Sequence, residues 1–151
     1  LAFCYVLDQL ALRFGNEHPC LEDIFEYLQQ ICPKVAEHGT FNFFLSNGQA
    51  LFSYATTKLH WLIREYPFQH AKLIDLDVDI DFSTVTTPED RVAVITTEPL
   101  TDNEMWQAYQ PGEMILFKDG KIELQAITLV ERLEREKHDP SLVRKTRADV
   151  Y

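Results

Sequence analysis

The chain has 151 residues, 46% of them hydrophobic, which is enough apolar material to bury one sizeable core. We therefore expect a single domain. The 24 acidic side chains outnumber the 14 basic ones and give a formal net charge of −10. A surface of that sign repels nucleic acid and anionic membranes, so we expect neither as a partner. The sequence also contains no run of about eighteen apolar residues, and no transmembrane helix is predicted.

Three cysteines, Cys4, Cys20 and Cys32, lie in apolar helical patterns without the spacing of metal ligands. An odd number of cysteines in such positions favours buried free thiols over a disulfide, and hence a reducing, cytoplasmic environment. The five histidines lack metal spacing as well, and the five glycines form no phosphate-binding series. We therefore predict no metal and no cofactor.

Leu1 to Phe14 predicts the first helix, and Gly15 is suited to end it. None of the residue types that usually cap a helix N-terminus stands at its start. Either the first turn of the helix is frayed or its cap lies upstream of Leu1. The apolar side chains expected on one stripe are Phe3, Val6, Leu7, Leu10 and Phe14.

A second helix follows, with Pro19 in its first turn and acidic residues next to its positive N-terminus. Pro33 should bend or interrupt this helix near its end, and Gly39 should close it. Its apolar stripe, which we interpret as core, contains Leu21, Ile24, Phe25, Leu28, Ile31 and Val35.

Asn47-Gly48, between two aromatic-rich runs, predicts a two-residue type I′ hairpin. Phe43 and Phe44 are adjacent, so both faces of their strand should be at least partly covered. We expect stacked antiparallel sheets covered by the two helices. The strands assigned to them are Thr40–Ser46, Gln49–Tyr54, Leu59–Ile63 and Arg91–Thr97.

Carboxylates alternate with apolar residues in the segment that follows, after a strand predicted over His70–Leu76. An extended chain places all of them on one face, which is typical of an exposed edge kept from aggregating by charge. A calcium loop would need a glycine turn and a distal glutamate, both missing here. We predict that these residues are solvated and bind no metal: Asp75, Asp77, Asp79 and Asp81.

Asp119-Gly120 predicts a second two-residue hairpin, between strands that start at Met114 and Lys121. A charged helix is then predicted from Ile127 to His138, and Asp139-Pro140 should end it. The remainder, through Tyr151, is predicted to be a polar arm over the domain or against a partner.

Four blocks of sequence occur in a characteristic order and spacing: Thr40–Gly48, Thr56–Trp61, Thr87–Trp106 and Pro111–Glu113. Together they resemble the C-terminal half of a class II glutamine amidotransferase. The similarity is greatest to stand-alone amidotransferases and γ-glutamyl peptide hydrolases. On this basis we expect residues 1–126 to be the C-terminal part of that domain and residues 127–151 to be a charged helical tail.

The resemblance implies an α+β fold, the four-layer αββα sandwich of the N-terminal-nucleophile hydrolases. It also implies a cysteine nucleophile at the mature N-terminus, an Asn-Gly oxyanion pair, and residues that bind the α-carboxylate and α-amine of glutamine. Leu1 is not a nucleophile, Cys4 lies within a helix, and Asn47-Gly48 lies downstream of the family's oxyanion pair. We therefore expect no catalytic residue in this chain and place the whole catalytic set upstream of Leu1.

Two functions remain open. The chain is either the scaffold of an enzyme that acts on glutamine or a γ-glutamyl amide, or a non-catalytic domain of the same fold used for assembly or binding. In the first case its partner is the upstream half of the same protein; a homo-oligomer is possible in either. His60 could belong to a site, but a hydrogen-bonded histidine within a sheet is the favoured interpretation. Ser46 and Ser53 lack the Gly-x-Ser-x-Gly setting of a hydrolase nucleophile.

Overall fold

The computed structural model describes residues 1–68, 70–74, 79–82, 86–128, 130 and 138. Within these ranges two helices, α1 (Ala2–Phe14) and α2 (Leu21–Ala36), come first and strands follow. The strands are β1 (Phe43–Ser46), β2 (Leu51–Ala55), β3 (His60–Glu65), β4 (His70–Lys72), β5 (Asp79–Asp81), β6 (Arg91–Thr96), β7 (Gln107–Ala108), β8 (Glu113–Lys118) and β9 (Lys121–Ile127).

The described strands form three sheets. Sheet A has the order β1-β2-β8-β9, sheet B has the order β6-β3-β7, and β4 and β5 form a small ribbon. Every ladder between these strands is antiparallel. The predicted class, α+β with antiparallel sheets, is therefore confirmed.

Sheet A is covered on both faces. Phe52 and Met114 point toward the helices and pack with Val6 and Leu28 in one buried cluster. The side chains that alternate with these point to the other face of sheet A. One of them, Ile115, belongs to a second cluster that includes side chains of sheet B. Successive side chains alternate between the two covered faces, so β2 and β8 are buried along most of their length. The described part of the chain thus has three layers: helices, sheet A and sheet B.

The apolar stripe predicted for α1 is only partly correct. Val6 is fully buried, but Phe3 and Leu7 are 41% and 43% exposed. The buried side of the helix also carries Ala2 and Leu10, which pack against the helix-side core. Since α1 is apolar on most of its circumference, its sequence alone does not show which side faces the core. Gly15, with φ of 57°, ends the helix as predicted.

Two details of α2 differ from the prediction. Cys20 is the N-cap residue and its Sγ accepts a hydrogen bond from the Asp23 backbone N–H at 3.4 Å, so Pro19 lies before the helix. Pro33 does not interrupt the helix, which continues to Ala36. It lies in the last turn, where the missing N–H removes only one intrahelical bond.

The prediction of three buried thiols is wrong for two of them. Cys32 is buried on the core side of α2, whereas Cys4 and Cys20 are exposed. Cys4 lies on the outer side of α1, and Cys20 lies at the exposed helix start. All three are free thiols.

The two predicted hairpins have different outcomes. Asp119 and Gly120 both have positive φ, at 50° and 69°, and join β8 to β9 in the predicted two-residue turn. The loop at Asn47-Gly48 has four residues, since Ser46 pairs with Leu51. Only Gly48 of that pair has positive φ. The Asn47 Oδ1 instead accepts backbone hydrogen bonds from residues 49 and 50, at 3.0 and 3.1 Å, and these bonds favour the longer loop.

The acidic segment is only partly described. Asp79 and Asp81 lie in β5, which pairs with β4 rather than with a larger sheet, whereas Asp75 and Asp77 lie outside the described residues. β4 is shorter than the predicted strand because it ends at Lys72. In the described ranges no group of three or more His, Cys, Asp or Glu side chains could hold a metal. The absence of a metal at the four aspartates stays a prediction.

The helix predicted from Ile127 does not begin there. Ile127 is the last residue of β9, and it pairs with Glu113 in the sheet A ladder. This pairing extends the sheet past residue 126 and fixes an extended backbone. Residues 129, 131–137 and 139–151 lie outside the described residues, so the domain boundary at 126 stays a prediction. None of the described helices has the length and apolarity that a membrane crossing requires.

Candidate functional site

One end of the two sheets gathers the segments that carry the family resemblance. β2 ends at Ala55, and Thr56–Leu59 crosses from sheet A to sheet B. The Gly112 N–H donates to the Ala55 carbonyl at 2.8 Å, and the Tyr109 N–H donates to the Leu59 carbonyl at 2.8 Å. The Pro111–Glu113 block therefore lies against this connection. We call this place the crossover end, defined by Asn42, Thr56–Leu59 and Tyr109–Glu113.

Asn42 fastens the connection to β1. Its Oδ1 accepts the backbone N–H groups of Thr56 and Thr57 at 2.9 and 3.3 Å. Its Nδ2 donates to the Thr57 Oγ1 at 2.9 Å and to the Lys58 carbonyl at 3.5 Å. The Thr56 Oγ1 accepts the Phe41 N–H in return, at 2.9 Å. Asn42, Thr56 and Thr57 thus hold the connection between the two sheets against the residues that precede β1. The sequence analysis assigned no role to these three residues. The one sequence feature that could have indicated the contact is a polar Asn42 between Phe41 and Phe43.

Ser53 and Tyr109 form a buried hydrogen-bond pair between the sheets. The Ser53 Oγ lies 2.7 Å from the Tyr109 hydroxyl and 3.1 Å from the Ile115 carbonyl oxygen. A carbonyl can only accept, so Ser53 donates to Ile115 and Tyr109 donates to Ser53. Burial raises the pKa of Tyr109 even though the bond to Ser53 acts in the opposite direction, so the phenol stays neutral. With its proton held by a carbonyl, Ser53 is not an activated nucleophile.

Glu113 closes the next turn. Its side chain is almost fully buried, with the whole residue only 4% exposed. One carboxylate oxygen accepts the Gln110 backbone N–H at 2.6 Å, and the other accepts the Gln125 Nε2–H at 2.6 Å. Each oxygen therefore has a donor, as a buried carboxylate requires. The arrangement positions the Pro111–Glu113 turn; it supplies no base beside a nucleophile.

His60 follows the crossover on β3, and its Nδ1 lies 3.1 Å from the Thr97 carbonyl oxygen. The interpretation as a hydrogen-bonded sheet histidine is confirmed. Beside it, the Lys58 Nζ lies 2.8 Å from the Glu98 Oε1. This bond raises the pKa of Lys58 and lowers the pKa of Glu98. Both side chains are well exposed, so solvent screens the pair and it does little to stabilise the crossover.

The remaining candidate nucleophiles are no better placed. Burial raises the pKa of the Cys32 thiol. The pKa of Cys20 is also raised, chiefly by hydrogen bonding with the Asp23 side chain, although the Asp23 backbone N–H acts in the opposite direction. Neither thiol is therefore activated as a thiolate. Asn47-Gly48 lies at the end of sheet A opposite the crossover, since Leu51 pairs with Phe117 next to the β8–β9 turn. The absence of a catalytic residue from this chain stays a prediction.

A second polar cluster lies at the other end of β3. The Arg64 guanidinium makes two hydrogen bonds of 2.7 Å to the Glu104 carboxylate and lies 5.0 Å from the centre of the Phe82 ring. The Thr101 hydroxyl donates to Glu104 at 2.6 Å and accepts the Trp106 Nε1–H at 3.0 Å. These contacts fasten residues 101–106 to sheet B. Trp106 is half-buried there and anchors the turn.

Known proteins supply the context for this geometry. The family described as "Glutamine amidotransferases class-II" matches residues 1–141. The chain is 44% identical over 120 residues to the protein named "Putative glutamine amidotransferase YafJ" of Escherichia coli K12, a match that covers 80% of the chain and 47% of YafJ. A protein of Haemophilus influenzae with the name "Putative glutamine amidotransferase" is 42% identical over 120 residues, and 40% of it is covered.

A solved structure agrees with these relatives. It is titled as a 2.0 Å crystal structure of "predicted glutamine amidotransferase from Pseudomonas aeruginosa PA01" and has a TM-score of 0.71 and 39% identity to this chain. The match covers 82% of this chain and 48% of the crystallised one. The chain thus spans about half the length of the relatives it matches, or less. The family match extends past residue 126, to residue 141. Sequence, fold and the convergence of the family blocks agree: the chain belongs to the class II glutamine amidotransferases.

Proposed function

We propose that these 151 residues form the scaffold part of an enzyme that hydrolyses the side-chain amide of glutamine or of a γ-glutamyl compound. The observation that carries the proposal is the crossover end. There Asn42, the Thr56–Leu59 connection and the Pro111–Glu113 turn, which come from three of the family blocks, are joined by backbone and side-chain hydrogen bonds. A reaction centre needs side chains that are held in fixed positions, and an end of two sheets joined in this way can hold them.

The proposed fold of the whole domain is the four-layer αββα sandwich of the N-terminal-nucleophile hydrolases. Three layers of described residues fit its first three layers in order. The outer face of sheet B would take the fourth, a second helical layer contributed by residues outside this sequence. Val92, on that face, is 45% exposed, and apolar residues of this kind are what such a layer would cover.

The reaction adds water across the amide, releasing ammonia and leaving the γ-carboxylate. It needs a nucleophile activated beside a base, and in this proposal a cysteine thiol next to its own free α-amine serves both roles. The oxyanion donors and the groups that bind the amino-acid end of the substrate would lie in the same outside segment. Ser53, Cys20 and Cys32 are not activated as nucleophiles, which supports a nucleophile that comes from the outside segment.

Ammonia release from glutamine and from a γ-glutamyl peptide tests the proposal. We expect no turnover by the 151-residue chain alone. Mixing it with the upstream segment of the full protein, beginning with cysteine, should produce ammonia, and the same segment with that cysteine replaced by alanine should not. Turnover by the chain alone that is lost in Cys4→Ala, Cys20→Ala or Cys32→Ala would contradict the proposal. Stable association without turnover would favour the non-catalytic alternative.

The role of the crossover end can be tested in the reconstituted enzyme. Asn42→Ala removes the bonds that fix the connection, and a displacement of about 1 Å near a reaction centre costs roughly a hundredfold in rate. We expect kcat/KM to fall by about ten- to a hundredfold. Asn47→Ala is the matched control, because Asn47 also accepts two backbone hydrogen bonds but lies at the opposite end. Equal losses in the two variants would refute a special role for the crossover end.

A further inference from the structure

β6 is an edge strand of sheet B, yet it lacks the features that normally protect an edge. In the order β6-β3-β7 its one described neighbour is β3. From Val92 to Thr96 it contains no charged residue and no proline, and its ladder with β3 is regular over six residue pairs. By contrast β9, at an edge of sheet A, carries Lys121 and Glu123, and its ladder with β8 has a register shift. Charges and bulges of that kind keep an edge from pairing with another strand, so β6 has the character of an interior strand.

The hydrogen-bond pattern shows which backbone groups of β6 point away from β3. The Tyr109 N–H donates to the Leu59 carbonyl, so the backbone polar groups of Leu59, and of every second residue after it on β3, point toward β7. The residues of β3 between these direct their groups toward β6, where their partners are Val92, Val94 and Thr96. The N–H and C=O groups of Ala93 and Ile95 therefore point to the open side of β6. The described part of the chain supplies no hydrogen-bond partner for them there.

We propose that the open edge of β6 binds an extended, apolar segment from the upstream half of the full protein, which adds a strand to sheet B. This inference rests on the proposed function, in which the chain is one part of a larger enzyme. Main-chain hydrogen bonds to Ala93 and Ile95 hold the added strand, as is usual in strand addition. The β8–β9 turn limits the edge at the start of β6, because a Cβ added to Gly120 would lie 2.5 Å from the Arg91 carbonyl oxygen.

The two faces of β6 determine the composition of the added strand. Ala93 and Ile95 pack against the cluster between the two sheets, and Val92 lies on the opposite face, where it is 45% exposed. A neighbouring strand continues both faces of the sheet, so it needs apolar side chains on both. We expect a run of about five or six residues without charge.

The relatives have the length of chain that this occupant requires. The matches cover 47% of YafJ and 48% of the P. aeruginosa structure, so more than half of each lies outside the match. Within the described residues sheet B has three strands, of which β7 has only two residues. A second copy of this chain is the competing occupant, since two β6 strands could pair about a two-fold axis. A six-residue strand is about 20 Å long and about 5 Å wide, so such a pair covers roughly 100 Å² per copy, far less than the 800 Å² or so of a stable dimer.

Hydrogen exchange of single amides tests the edge. The probe is the upstream segment of the full protein with its N-terminal cysteine replaced by alanine, so that binding is measured without turnover. In the 151-residue chain alone, the amides of Ala93 and Ile95 should exchange rapidly and those of Val92, Val94 and Thr96 slowly. When the segment is added, exchange at Ala93 and Ile95 should slow by about tenfold or more.

The other outcomes of this experiment would overturn the proposal. They are failure of the segment to bind, and binding that leaves exchange at Ala93 and Ile95 unchanged. Slow exchange at both positions in the chain alone would overturn it too, and a dependence on chain concentration would identify a second copy as the occupant. Ammonia release by the unmodified segment is measured separately. Turnover without protection of the two amides would leave the proposed function standing and remove the edge proposal, and protection without turnover would do the reverse.

A proline substitution gives an independent measurement. Ala93→Pro removes the outward N–H without removing a bond to β3, and proline is tolerated at such edge positions. Ala93→Gly is the matched control, because it also disfavours the strand but keeps the N–H. We expect Ala93→Pro to weaken binding of the segment by about tenfold or more and Ala93→Gly by about threefold or less. Exchange at Val94 should stay slow in both variants, since its N–H bonds to β3. Equal affinities of the two variants would contradict the proposal.

Discussion

The bidentate pair of Arg64 and Glu104 should be a major local source of stability. Glu104→Ala leaves the guanidinium, whose side chain is 19% exposed, without the carboxylate that accepts its two hydrogen bonds. Breaking a fully buried pair costs about 3–5 kcal/mol, and the partial exposure here reduces this to about 2–4 kcal/mol. Thr101 also loses its acceptor, and the turn that carries Trp106 loosens with it.

The free energy of unfolding in urea measures this loss. Glu98→Ala is the matched control: it also breaks a carboxylate ion pair of near-equal length, but the side chains of Lys58 and Glu98 are 78% and 63% exposed. The control should unfold at the wild-type midpoint, because exposed pairs contribute little. If Glu104→Ala and Glu98→Ala unfold at the same urea concentration, the partly buried Arg64–Glu104 pair stabilises the fold no more than the exposed Lys58–Glu98 pair. That result would refute the prediction.

The same pair predicts a pH dependence. The hydrogen bonds from Arg64 are the main reason that the pKa of Glu104 is below its usual value, so the folded state favours the ionised form. The contribution of ionised Glu104 to the free energy of unfolding is therefore complete above the pKa of the unfolded state, about 4.3. It is lost as the pH falls through the lower pKa of the folded state. The difference in unfolding free energy between the wild type and Glu104→Gln should be larger at pH 7 than at pH 3. A constant difference would contradict this linkage.

Two further variants and a labelling experiment test the fold. Gly120→Ala should cost about 1–3 kcal/mol, because φ is 69° and an added Cβ would lie 2.5 Å from the Arg91 carbonyl oxygen; thermal unfolding measures it. Gly48→Ala, with open space around it, should cost less, and a reversed order would refute the steric argument. Under native conditions a thiol reagent should modify Cys4 and Cys20 but not Cys32, which should react only on unfolding; rapid native reaction of all three would contradict the buried position.

Local sequence signals predicted local structure well where one interaction decides the outcome. Asp119-Gly120 forms the expected turn because both residues accept positive φ and the paired strands continue directly on each side. Asn47-Gly48 carries an equally strong signal, but the Asn47 side chain bonds two residues ahead and makes a longer loop. A side chain that competes with the backbone in this way is not visible in a residue pattern.

The candidate site depends on long-range contacts and was much less predictable. The sequence blocks identified the family, yet nothing local shows that Gly112 bonds to Ala55 or that Asn42 bonds to the connection. The apolar pattern of α1 likewise could not say that Val6 faces the core while Leu7 does not. Ile127 continued a strand because Glu113 pairs with it, a partner fourteen residues earlier. Each of these outcomes is set by packing between distant segments.

In the chain, the strands of sheet B come between β2 and β8, which are neighbours in sheet A. This order has a consequence for folding. β2 and β8 pair through Ser53 and Ile115, which are 62 positions apart, and all three strands of sheet B lie between them. Closing a flexible loop of that length costs about 3.6 kcal/mol from its length alone. The β8–β9 hairpin closes over two residues and forms in microseconds. Sheet A should therefore assemble late, once the crossover and sheet B have shortened the loop. During refolding, amides of β9 should gain protection from hydrogen exchange before those that β2 donates to β8.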